Sequence, residues 1–470
     1  MKLAESERFG FMPYFLRPAT ASIKKRSVIS IGIMGFLSPA LCVRRSRNES
    51  FDGVSKLKNF CRFFLLFVLI LGIFTLPAAA SKIAEIEVSN VHDLERSAEW
   101  VIVSLQLPGG VLEDHCVLID YTNQDTVYAQ IFGRKADPLN QIENCYLIAP
   151  VDLGPQETRR FFLHTGDQRQ KVPENDLTIS GAGLDLIVEN RFYRADLRQN
   201  ENEAGQKFRS GQLNRLTIKS HDNMILKRKS NRMHWAPNFR RSGDEDYTTI
   251  AHWDPPDVSL LDIGPYLIRL LREGSAPEFP EIRLTAVYYF FAGVPYFRFY
   301  SEMEIQQDIS LSLLRNDEMT MDSLFTHVAF CRPDGRIEDY PFIIREQILQ
   351  SDPIANSDPW LCFYHREQGY AFGSIRIQYD VVNRHGLPSP TYSPHTKISN
   401  GAGGGKYWNR RLIHEKDTFV PAGSRYCEEN AYLIFDIGES DRFETITYWQ
   451  NRLRQPVRVH VRYIENNADN

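Results

Sequence analysis

The sequence predicts an all-β protein: a small β-barrel or sandwich followed by a large, mostly antiparallel β-sandwich. Aromatic residues make up 12% of the chain, with 21 Tyr and 29 Phe, and aromatic side chains suit the pleated surface of a sheet. Segment after segment alternates apolar and polar residues with period two, as half-buried strands do. Only ETITYWQNRLRQ, near the C-terminal end, carries helical potential.

The totals narrow the class further. The chain has 470 residues, 43% hydrophobic and 24% charged, a composition that folds and that fits two or three domains. The formal net charge of -4 lacks the basic footprint of a nucleic-acid binder, and no nucleic-acid partner is expected. There is no repeat of fixed period, and GxSxG, HExxH and P-loop motifs are absent.

Residues 61–80, CRFFLLFVLILGIFTLPAAA, have the apolar run, positive flank and small-residue end of a signal peptide. The run Phe63 to Leu76 is short for a membrane span. A signal peptide over 54–80, cleaved before Ser81, is therefore expected, with no stable membrane span afterwards and an exported, periplasmic or extracellular protein. Residues 1–53 are expected to lie outside the mature protein, with Val54 opening the signal sequence. Five cysteines follow the cleavage point: Cys116, Cys145, Cys331, Cys362 and Cys427. They form no CxxC pair, so a zinc ribbon is not expected. An exported context permits one or two disulfides, and burial as free thiols is the other role.

Along the mature chain, SKIAEIEV, EWVIVSLQLP, HCVLIDYT, DTVYAQIFG, NCYLIAPVDL and ETRRFFLHTG read as six strands. They make a small β domain over 81–175. A bridge follows, and then a domain over 180–465 of around a dozen strands. Its clearest hairpin is EIRLTAVYYFFAGVPYFRFYSEMEIQQD, apolar on both faces at the hairpin end, as in a sheet buried between two layers.

This arrangement resembles the exo-rhamnogalacturonan lyase-like family. The residues carrying the resemblance are LDLIVENRFYRADL, VYYFFAGVPYFRFYSEMEI, LLRNDEMTMDSLFTHVAF, and the later YWNRRLI and PAGSRYCEENAYL. The resemblance covers most of 85–465. It implies an N-terminal RIFT barrel, then a galactose-mutarotase-like supersandwich, here expected without that family's C-terminal α/α toroid. It also implies a carbohydrate partner, an acidic, uronate-containing polysaccharide, cleaved by β-elimination. A non-catalytic carbohydrate-binding or envelope protein on the same scaffold is the alternative.

β-Elimination at a uronate needs a group that neutralises the carboxylate, a base for the C5 proton and an acid for the leaving oxygen. GGGKYWNRRLIH supplies Tyr407, Arg410, Arg411 and His414 on one stretch. In a regular strand Tyr407, Asn409 and Arg411 share one face, while Trp408, Arg410 and His414 share the other. Tyr364 and His365 in CFYHREQGY form a second catalytic candidate group. Trp408, His234, Trp235, Arg240, Arg241, His252 and Trp253 are candidates for substrate binding, as rings that stack on sugars and cations that hold acids. Each group has a structural counterpart reading, as core residues or as a solvated edge strand. Asp317, Glu318 and Asp322 in RNDEMTMD offer carboxylates for hydrolysis or calcium. Their spacing fits no EF-hand loop, and neither metal nor cofactor is expected.

Overall fold

The computed structural model describes residues 81–464, apart from 113–114, 167–168, 202–204, 206, 230–231, 253–256, 277, 343–352 and 401–404. The expected signal peptide and the residues before it lie outside the described residues. The chain divides into two units. One comprises residues 1–81 with 166–168, of which Ser81 and Gly166 alone are described. The other comprises 82–165 with 169–470 and holds everything below.

The protein is all-β, as expected. In the N-terminal region, strands Arg96–Pro108, Ile142–Leu153 and Gln130–Ala136 form one sheet. Strands Ser81–Ser89, Thr158–Thr165, Cys116–Asp120 and Thr126–Tyr128 belong to another. The segment DTVYAQIFG, expected as one strand, is split at Ala129 between the two sheets. Ile86, Val88, Val103, Leu105, Leu147 and Leu163 fill the core between them. The second sheet is completed from the far end of the chain. Arg458–Tyr463 pairs antiparallel with Ser81–Ser89, Val461 opposite Ile86. That strand was expected within the 180–465 domain. Its Val459 and Val461 instead pack on the N-terminal core.

The large region is a sandwich. One layer is a nine-stranded sheet with the hairpin Phe279–Phe291 and Tyr296–Ile305 in its middle. Opposite it lie two five-stranded sheets. The first contains Met224–Lys227, Arg215–Ile218, Tyr193–Asp196, Asp185–Glu189 and Thr178–Ala182. The second runs Thr248–Thr249, Asn238–Arg241, Ile309–Met321, Lys406–Val420 and His395–Asn400. Leu284, Ala286, Tyr288 and Phe290 face the core shared by all three sheets. Val287, Tyr289 and Phe291 face a second core. Strand alternation thus buries both faces of this hairpin.

The second core is roofed by the expected helix, Glu444–Arg454. Ile446 is buried there, and Trp449 meets Tyr296 with ring centroids 5.0 Å apart. Arg452 Nε donates to Glu99 Oε2 at 2.6 Å, tying the helix to strand Arg96–Pro108. The five cysteines Cys116, Cys145, Cys331, Cys362 and Cys427 are buried, and none is in a disulfide. No helix of the described residues is long and apolar enough to cross a membrane.

Candidate functional site

Cross-strand partners in an antiparallel ladder project to the same face. In the second five-stranded sheet, Thr249 pairs with Asn238, Asn238 with Arg315, Arg315 with Arg411, and Arg411 with His395. These five residues form one row across all five strands. The next row is Arg240, Leu313 and His414; on the other side Lys397 pairs with Asn409, and Ser399 with Tyr407. Phe239, Leu314 and Ile413 lie between these rows and point into the sandwich core. The polar rows therefore form the outer face of the sheet.

Of three register shifts between Ile309–Met321 and Lys406–Val420, two shape this face. Leu314 pairs with Ile413, but Arg315 pairs with Arg411, so Leu412 is an extra residue. Leu412 and Ile413 both enter the core. The strand's parity is thereby reset, and His414 stands on the same face as Arg411, correcting the expectation that it would side with Trp408 and Arg410. The second bulge lies between Asn316 and Met319. There Asp317 takes a left-handed φ of 43°. Its carboxylate goes inward, while the Glu318 carboxylate accepts from outer-face Asn238 Nδ2 at 2.8 Å.

The outer face is rich in cations and donors. Arg315 Nη1 is 3.9 Å from Glu318 Oε1. Arg411 Nε donates to Asn409 Oδ1 at 3.0 Å, and its Nη1 lies 3.0 Å from His414 Nε2. Burial, and then the Arg315 charge, lower the Arg411 pKa. Burial and then Arg411 push His414 down to about 4, so its imidazole is neutral at physiological pH. Burial raises the Glu318 carboxyl against the pull of Arg315, which reduces the negative charge available to the two arginines. Arg315 Nε, Asn409 Nδ2 and Asn238 Oδ1 are buried with no hydrogen-bond partner among the described residues. Tyr407 and His414 are half-buried and Tyr247 is exposed, at the edge of the cluster.

The inner face of the same strand is different. Trp408 is fully buried, packed on Phe363 and Phe372, with Nε1 donating to Asp317 Oδ1 at 3.0 Å. An indole with no exposed face offers a sugar nothing, which removes Trp408 as a stacking platform. Arg410 is also interior: it donates to Asn316 Oδ1 and Asn356 Oδ1 and lies 3.9 Å over the Tyr379 ring. It cannot reach a ligand that Arg411 holds.

The other expected residues scatter. Tyr364 is buried on the nine-stranded sheet beneath Phe443, donating to Asp339 Oδ1 at 2.6 Å. Burial and Asp339 raise its pKa, so it is no base at neutral pH. His365 follows it in a turn beside Tyr370, on the opposite layer from Tyr407 and Arg411. His234 is fully buried, its ring against Phe299 and Tyr432. Trp235 is buried against Phe208 and Tyr247. Arg240 shares the outer face and donates to Ser312 Oγ at 2.9 Å. Arg241 turns aside to Glu281 and the Phe279 ring. His252 lies in the turn Ile250–His252, and Trp253 lies outside the described residues. The carboxylates of RNDEMTMD diverge: Asp317 is sealed in the core, Glu318 is outward, and Asp322 is near Arg228. They form neither a hydrolytic pair nor a calcium cage.

Sequence reasoning missed Asn238, His395 and Tyr247, and cited Arg315 only as the edge of an acidic stretch. They join the site through register across strands far apart in the chain, which no local pattern encodes.

No family model matches the chain, and no curated protein matches it. Among solved structures it is similar to a glycosyl hydrolase family 38 protein from Enterococcus faecalis, with 12% identity and a TM-score of 0.46 over 81% of this chain and 48% of that one. It is also similar to an α-mannosidase from E. faecalis V583, with 10% identity and a TM-score of 0.47 over 81% and 46%. A TPR-domain containing protein from Parabacteroides distasonis matches at 8% identity and a TM-score of 0.30 over 78% and 57%. The chain spans about half the length of these structures. None of the three is described as a rhamnogalacturonan lyase.

Proposed function

We propose that this protein is an exported carbohydrate-active protein that holds an acidic, uronate-containing glycan on the outer face of the second five-stranded sheet. Arg315 and Arg411 take the carboxylate. The observation that carries this reading is an imbalance: two guanidiniums in cross-strand register share one buried carboxyl with a raised pKa, and beyond it only the exposed Glu415, 3.7 Å from Arg411 Nη1. The buried Arg315 Nε and Asn409 Nδ2 add donors without a partner among the described residues. A bound carboxylate supplies acceptors in the fork geometry that arginine favours. Tyr407 and Tyr247, at the edge of the cluster, present rings and hydroxyls to a sugar.

On this reading the chemistry is β-elimination. Arg411 and Arg315 neutralise the carboxylate, neutral His414 takes the C5 proton, and the Tyr407 hydroxyl, on the same face, gives its proton to the glycosidic oxygen as the C4–O bond breaks. The test is incubation with pectic, alginate-like and glycosaminoglycan substrates, following the ultraviolet absorbance of the unsaturated product and, in parallel, binding. Product that disappears in Tyr407→Phe, with binding retained, supports elimination. Binding without product in the parent protein supports the alternative, a non-catalytic glycan-binding protein. That second reading is favoured by the placement of Tyr364 and His365 on the opposite layer, which leaves few proton-transfer groups at this face. If neither binding nor product is found with any uronate glycan, both readings fail.

A further inference from the structure

Inside the sandwich, away from the outer face, lies a second concentration of positive charge. Arg272 projects from strand Leu267–Ala276 toward the shared core, on the same face as Ile268 and Leu270. It is buried, and its Nη2 donates to Gln212 Oε1. Its Nε and Nη1 have no partner among the described residues. Arg232, also fully buried, donates to the main-chain oxygens of Arg198, Arg209 and Gln212. Its Nε has no partner either. Gln212 thus joins the two guanidiniums, one at its carbonyl and one at its side chain.

His234 completes the group. Tyr288 Oη accepts from the Leu213 N–H at 3.2 Å and meets His234 Nδ1 at 2.5 Å. With Nδ1 the ring nitrogen facing the phenol, donation of the phenol's proton to it leaves the imidazole proton on Nε2. His234 Nε2 is buried and unpartnered. Burial and the Arg272 charge hold this histidine neutral.

The unpartnered groups are consequently all donors: Arg272 Nε and Nη1, Arg232 Nε and His234 Nε2. Among the described residues no carboxylate is paired with Arg272, and arginine cannot shed its proton to escape the burial. Leaving several donors and a net positive charge unanswered in the interior is strongly unfavourable. Gly211 sets the size of what can enter. A Cβ there would stand 3.0 Å from Arg272 Cδ, so the backbone closes tightly over the guanidinium stem.

We propose that Arg272, Arg232 and His234 form an internal site for a small, acceptor-only anion, a halide such as chloride. The ion accepts from the four donor groups and offsets one of the two buried guanidinium charges. A water molecule fits less well, because it would face several donors with one oxygen while its own two hydrogens still need acceptors. The site locks the segment around Gln212 and Arg232 against the nine-stranded sheet. It is independent of glycan binding.

The test uses the full chain refolded from urea in halide-free buffer, then melted in sodium chloride, sodium bromide or sodium gluconate at one ionic strength. A ligand that binds only the folded state raises Tm with its concentration. The expected result is a Tm that climbs with chloride and bromide and not with gluconate. Arg272→Met is expected to abolish the difference between salts. If Arg272→Met does not fold, Gln212→Glu supplies a carboxylate beside Arg272 and is expected to fold and to lose the halide dependence. Arg411→Ala, on the outer face, keeps it. Crystals grown in bromide are expected to show one anomalous peak against Arg272 Nη1 and His234 Nε2. Equal Tm in all three salts overturns the proposal. So does a halide dependence that persists in whichever variant folds, or a bromide-grown crystal with only water at these donors.

Discussion

On the inner face of Lys406–Val420, Arg410 sits between two asparagine oxygens and over Tyr379, and Trp408 is locked to Asp317. On the outer face, one residue along, Arg411 lies beside a second guanidinium and a neutral histidine, among buried donors that lack partners. The residue types are nearly the same. What differs is completion. On this strand the inner cation, Arg410, has its acceptors within the fold, whereas Arg411 and Arg315 have one buried carboxyl and the exposed Glu415. A buried polar group that is satisfied specifies structure, and one left unsatisfied marks where something else binds.

The largest expected effect tests the inner face. Trp408→Ala removes a fully buried indole and should cost about 3–5 kcal/mol of stability, read by urea unfolding. Tyr407→Ala, on the neighbouring position, should cost well under half of that. Equal losses would mean that the strand's two faces have been misassigned.

The arginines come next. Arg410→Met should lower stability by about 2–3 kcal/mol, since it strands Asn316 and Asn356 oxygens that now accept from a charged donor. Arg411→Met should cost less stability, but it should weaken binding of a uronate oligosaccharide by about tenfold or more. The binding loss should shrink as salt is added, because the site is partly open to solvent. If Arg410→Met reduces binding as much as Arg411→Met at equal stability, the ligand lies inside the sandwich instead.

The third effect is a pH slope of the inner face. Burial and then the Asp317 charge raise Glu428 from 4.5 to about 8. Ser301 Oγ, Asn430 Nδ2 and the Asp317 N–H contact its carboxyl, and the Arg410 charge opposes the shift. Between pH 4.5 and 8 the folded state therefore binds more protons than the unfolded chain. Its contribution to stability is fully present below 4.5 and declines as pH rises through 8. Glu428→Gln should flatten this slope in denaturant titrations run at several pH values. An unchanged slope would show that another group carries it.

Much of the fold was legible because period-two alternation is a local signal. The hairpin of Phe279–Phe291 and Tyr296–Ile305 and its two buried faces follow from it, and the helix Glu444–Arg454 follows from the separate helical potential of ETITYWQNRLRQ. The strand Arg458–Tyr463 was legible as a strand but not as part of the N-terminal sheet. Its partner, Ser81–Ser89, lies at the other end of the described chain, and pairing at that distance leaves no local trace. The site was half legible. Tyr407 and Arg411 share a face by simple alternation, but His414 joins them only through the extra residue Leu412. A bulge of one residue reverses every later side chain. Trp408 was misleading for a general reason: an aromatic residue in a strand suits a sugar platform and a core equally well, and only burial separates them.

The smallest expected effect completes the contrast between the faces. His414 has its pKa depressed from 6.5 to about 4, by burial and then by Arg411. Here the unfolded chain binds the extra proton. The stabilising contribution is present above 6.5 and is lost as pH falls through 4, opposite in sign to Glu428. His414 is partly exposed, with 20% of its side chain accessible, so solvent screens the effect and the slope is shallow. His414→Gln should remove it. Uronate binding, by contrast, should gain no His414-dependent step between pH 5 and 8, because the imidazole stays neutral throughout. A binding step near 6.5 that disappears in His414→Gln would mean that Arg411 does not hold this histidine neutral. It would also mean that the outer face carries one more positive charge than its geometry provides.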